Sequence, residues 1–159
     1  MSGEQAEGEK TITLEELLAR ATELREYITV LSNTINNYVT QYRELQLASE
    51  TLKNLPETGG EGFVVVDRLS SVLVPGIIKE GWAGSVLVNI GFGYYLKTTR
   101  DKAVEVIEKR IGSVNRLLDE LQKRYKAALD EYSALQGILN QVYAEAEKPE
   151  GSGGQATGG

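Results

Sequence analysis

The chain has no cysteine and no histidine among its 159 residues. That removes disulfides, thiolate nucleophiles, zinc sites built on Cys or His, and the usual general base in one step. Any enzyme made from it would have to work with Asp, Glu, Lys, Ser or Tyr alone. Proline is almost missing too, with only Pro56, Pro75 and Pro149, so two long stretches run without a helix breaker. No apolar run approaches the roughly 20 residues a membrane span needs. The first ten residues, MSGEQAEGEK, are polar and acidic and read as neither a secretory signal nor a transit peptide. A net charge of −6 argues against nucleic acid or an anionic membrane as the main partner, since both need clustered Lys and Arg. The expectation is a soluble, cytoplasmic protein with no metal and no cofactor.

What the chain does have is a Val-, Ile- and aromatic-rich centre almost free of charge, VLVPGIIKEGWAGSVLVNIGFGYYLK at 72–97, broken by Gly and Pro. These are marks of short strands and tight turns. On either side lies a heptad-patterned stretch. Thr13 and Glu16 form a capping box with Ile12 and Leu17 at the staple positions, and apolar residues then alternate by three and four: Leu14, Leu17, Ala21, Leu24, Ile28, Leu31, Ile35, Tyr38, Tyr42, Leu45, Ser49, Leu52. Only Ser49 interrupts. The second stretch repeats the spacing from Val104 through Ile107, Ile111, Val114, Leu118, Leu121, Tyr125, Ala128, Tyr132, Leu135, Leu139 and Val142 to Ala146. A 3.5-residue repeat over six heptads means a left-handed coiled coil, and two similar helices flanking a compact centre pair most simply with each other, antiparallel. Gly112 and Gly137 fall at outward positions as soft spots.

The expected order is a disordered lead at 1–11, one domain at 12–148 (helix 13–54, β hairpins 62–97, helix 99–147) and a flexible tail at 149–159. The hairpins read as strands at 63–66, 72–75, 86–90 and 94–97. A loop is expected over 56–62, and turns at Pro75–Gly76, 81–84 and 91–93. Runs such as Val64–Val65–Val66 and Val86–Leu87–Val88 are apolar without alternation, which implies burial on both faces. Four short strands cannot cover themselves. The chain is therefore expected to oligomerise through Phe63, Val64, Val65, Val66, Val72, Leu73, Val74, Val86, Leu87, Val88, Ile90, Tyr94 and Tyr95.

Nucleotide motifs fail. Gly76 and Gly81 have Walker-type spacing, but Trp82 and Ala83 stand where Lys and Ser or Thr are needed. Gly91–Phe92–Gly93 begins a dinucleotide fingerprint that lacks its third glycine at Leu96. The carboxylate pairs Glu15/Glu16 and Asp119/Glu120 fit a solvated helix surface. The apolar stripe widens at the open end of the helical pair, where Ile12 and Leu18 join Leu14 and Leu17, and Ile138 and Tyr143 join Leu139 and Val142. Two readings stand: a cluster that staples a fraying end, or an exposed sticky tip. Residues 27–42, YITVLSNTINNYVTQY, carry no charge and fit either a contact surface or a merely polar one.

The order helix, two hairpins, helix, with VLVNIGFGYY at 86–95 leading into the second helix, resembles the archaeal-type prefoldin alpha subunit over residues 12–147. The resemblance implies an α+β fold in which a long antiparallel two-helix coiled coil carries two β hairpins that form an oligomeric β-barrel platform. It also implies a hexamer of two alpha and four beta-type prefoldin subunits acting as an ATP-independent holdase. Such a holdase captures non-native client proteins at the tips, here Ile12, Leu14, Leu17, Leu18, Ile138, Leu139, Val142 and Tyr143, and passes them to a group II chaperonin. The competing reading is a structural coiled-coil tether or spacer that oligomerises through its strands.

Overall fold

The computed structural model describes residues 12–148; the lead expected over 1–11 and the tail over 149–159 lie outside them. Two long helices, α1 (Leu14–Asn54) and α2 (Arg100–Ala146), enclose two antiparallel hairpins, β1 (Gly60–Val65) with β2 (Leu73–Ile78) and β3 (Val86–Gly91) with β4 (Tyr94–Thr98). Each hairpin is its own two-stranded sheet. The capping box starts α1: Thr13 N donates to Glu16 Oε2 at 2.9 Å, and Glu16 N donates to Thr13 Oγ1 at 3.2 Å, satisfying two amides that have no helical acceptor. Thr99 opens α2, its carbonyl accepting from Ala103 N at 2.9 Å.

The β1–β2 hairpin differs from the sequence reading. Pro75–Gly76 does not turn the chain; it lies inside β2, with Pro75 opposite Phe63 and Gly76 opposite Gly62. Val66 N donates to Val72 O, so hydrogen-bonded and open pairs alternate back from there and Phe63–Pro75 falls on an open one. The proline nitrogen faces outward, where no donor is needed. Gly76 persists for space, since a Cβ there would stand 2.6 Å from Val64 Cγ2. Likewise Gly60–Gly62, expected as loop, begins β1. Val66 and Val72 flank the strands rather than belonging to them.

Three turns hold the centre in place. Asp67 closes β1–β2: its carboxylate accepts from Leu69 N (2.7 Å), Ser71 N (3.1 Å), Ser71 Oγ (2.6 Å) and Val72 N (2.9 Å). The chain reverses between β2 and β3 at Gly81 (φ 84°) and the single 3₁₀ turn Trp82–Gly84. Between β3 and β4, Gly91, Phe92 and Gly93 all have positive φ.

The described residues divide into two compact units, one running up to Ile35 and from Leu121 on, the other spanning Asn36–Glu120. In the first, Leu24, Leu31, Ala128 and Leu135 form the buried cluster, with Leu17, Ile28, Leu121, Tyr125 and Tyr132 packed on it. Arg20 Nη2 bridges to Glu131 Oε1 at 2.7 Å, which joins the two helices antiparallel. In the second, Ser49, Val88, Ala103, Ile107, Val114 and Leu118 are buried, and Lys53 pairs with Glu108. Ala103, absent from the expected stripe, is fully enclosed (0%). At the other extreme, Leu14, Val142 and Ala146 occupy stripe positions and are exposed.

Candidate assembly and capture surfaces

Cross-strand partners share a face and successive residues alternate, so the register fixes what each side of β1–β2 presents. Phe63, Val65, Leu73, Pro75 and Ile77 lie on one face, and Val64, Val74 and Ile78 on the other. Both faces carry apolar side chains and both are open: Phe63 on the first is 70% exposed and Val64 on the second 52%. A hairpin of this composition has no inside of its own.

The β3–β4 hairpin is one-sided. Val88 is buried (6%) in a groove it shares with Leu45, Ala48 and Leu52 of α1 and Ile107 of α2, and Arg110 donates to the Asn89 carbonyl. Leu87, Ile90, Tyr94 and Tyr95 are exposed. Val88 was expected at a subunit interface; the chain's own helices already cover it. The other strand residues expected there are exposed, apart from the half-buried Val86. The reading also missed exposed Ile77 and Ile78, hidden by the assumed Pro–Gly turn, and Leu47, Leu69 and Phe92, which stand singly in sequence and give no periodic signal.

Two polar ties fix the approach to the hairpins. Trp82 Nε1 donates to Pro56 O at 2.7 Å, and Arg100 Nη1 meets Glu57 Oε1 at 3.0 Å. Together they join the segment after α1 to the β2–β3 turn and to the start of α2.

The second surface is the open end of the helical unit. Ile12, Leu14, Leu18, Ile138, Val142 and Tyr143 are exposed, with Ile12 at 61%, and Leu17 is half-buried. Leu139 differs: it is buried (4%) and supports the end from within rather than presenting surface. Within the uncharged stretch 27–42, Tyr27 and Val30 are exposed. Among the described residues, no group of Asp and Glu is arranged to hold a metal ion, and no helix is long and apolar enough to cross a membrane.

Two long helices flank two strand hairpins in the chain, and apolar side chains stand open on the strands and at a helical end. A family model described as Prefoldin subunit matches residues 13–145, and the chain belongs to the prefoldin family. It is similar to the prefoldin subunit alpha of Saccharolobus solfataricus, 28% identical over 145 residues that cover 90% of this chain and 96% of that protein. It is also similar to the prefoldin subunit alpha of Sulfurisphaera tokodaii, 28% identical over 156 residues that cover 97% and 100%. Among solved structures it is similar to a filamentous PFD from Methanocaldococcus jannaschii determined by cryo-EM, with TM-score 0.44, 20% identity, and coverage of 77% of this chain and 94% of that one. Family membership supports a chaperone-subunit role and oligomerisation with other prefoldin subunits.

Proposed function

We propose that this chain is an alpha-type subunit of an ATP-independent holdase. In this reading it assembles through its hairpins with beta-type prefoldin subunits, two alpha with four beta, holds non-native proteins at its open helical end, and delivers them to a group II chaperonin in the cytoplasm. Both exposed faces of β1–β2 support assembly, because a monomer rarely leaves a contiguous apolar surface of this kind uncovered. The observation that carries the capture reading is the set of six exposed apolar side chains at the open end.

Non-native chains expose apolar surface, and covering it contributes about 25 cal/mol per Å². One such end gives weak binding. Several around one assembly add avidity without any single tight contact, so release needs no nucleotide.

The test is aggregation of a denatured client diluted into buffer without ATP, followed by light scattering. The assembled protein is expected to suppress scattering. A variant carrying Leu14→Ser, Leu18→Ser, Val142→Ser and Tyr143→Ser is expected to assemble to the same mass and protect markedly less. Equal protection by that variant rejects the capture surface. A parent protein that assembles and gives no protection favours the tether or spacer instead.

A further inference from the structure

The open end carries charge as well as apolar surface. Glu15 follows Leu14 on α1, Glu145 lies in the last turn of α2, Glu147 directly follows that helix, and all three are exposed. Among the described residues, no ion pair engages any of these carboxylates. Glu16 is occupied by the Thr13 cap. Across residues 12–18 and 138–148 the only cation is Lys148.

Helix stability does not explain Glu145 on α2. The C-terminal end of a helix carries partial negative charge, so Glu145 in the last turn is unfavourable there, and that turn holds no basic residue to offset it. A neutral side chain would suit the fold better. Carboxylates without an ion pair among the described residues, set around an exposed apolar patch, are instead the complement of a ligand with an apolar centre and cationic flanks.

We propose that this end selects non-native segments in which a short apolar run is flanked by Lys or Arg. The inference rests on the capture reading above and names the class of segment captured. The apolar run covers Leu14, Leu18, Val142 and Tyr143, while the flanking cations lie beside Glu15, Glu145 and Glu147 and stay hydrated. The exposed Tyr143 ring adds a face on which a cation can rest. Each exposed charge pair contributes little, and ordinary salt screens it within about 8–10 Å, so the preference is modest and salt-dependent.

The experiment measures binding of fluorescein-labelled peptides by anisotropy to the full chain in its assembled form. The peptides share one apolar core and are flanked on both sides by Lys or by Glu. The Lys-flanked peptide is expected to bind roughly fivefold tighter at low ionic strength, with the ratio falling toward one in high salt. The Glu15→Gln/Glu145→Gln/Glu147→Gln variant is expected to lose most of that ratio with helix content and assembled mass unchanged. Equal binding of the two peptides, or an unchanged ratio in the variant, overturns the charge preference. If the four-serine variant of the preceding test binds both peptides as well as the parent does, the capture reading itself fails and this inference falls with it.

Discussion

Three glycines answer the same substitution in opposite ways. A Cβ at Gly112 or Gly137 meets nothing within 4 Å, and both glycines sit inside α2, where glycine costs about 1 kcal/mol against alanine. Gly112→Ala and Gly137→Ala are therefore each expected to raise stability by up to about 1 kcal/mol, read as a higher thermal midpoint by circular dichroism. Gly59 has φ +75°, and a Cβ there would stand 2.0 Å from the Ile78 carbonyl oxygen. Gly59→Ala is expected to cost about 2 kcal/mol locally, seen as faster amide exchange across β1–β2. Spacing alone identified the outward helical glycines and most of the stripe. It did not identify Ala103, because a small residue beside the stripe becomes core only where the second chain element approaches closely. Nor did it separate Leu139 from Leu14, since both hold stripe positions and only proximity to the helix end leaves one of them open.

At the scale of elements, the capping box was legible because its two reciprocal bonds are encoded by two residues at a fixed spacing. Pro75–Gly76 was not, because the same pair serves a turn or an outward-facing strand position and only the partner strand decides between them. The Asp67 turn gives a pH prediction. Its carboxyl is held below the ordinary value by the Ser71 hydroxyl first and the Ser71 amide next, with the Leu69 and Val72 amides adding to this against an opposing effect of burial. A lowered folded-state value means the turn's contribution is complete above the ordinary Asp range, near about pH 4, and is lost as pH falls through the lowered value. Amide exchange at Leu69, Ser71 and Val72 is expected to accelerate selectively below that range. Asp67→Asn is expected to abolish this pH step, since the amide does not titrate.

At the scale of the whole molecule, assembly through the exposed strands, as proposed, is expected to make behaviour depend on concentration and partners. Phe63→Asp with Ile77→Asp is expected to reduce the assembled mass measured by sedimentation velocity while leaving the helical signal intact. An unchanged mass would place the subunit contact elsewhere. Each hairpin is a sheet of only two strands, so each of its strands has one outer margin with no neighbouring strand, the kind of margin that recruits further strands. A copy synthesised ahead of its companions would meet its own kind first. Overproduction of this chain alone should therefore drive it into insoluble deposits, and co-synthesis with a matched partner should return it to the supernatant, making balanced supply of subunits a condition of the fold itself.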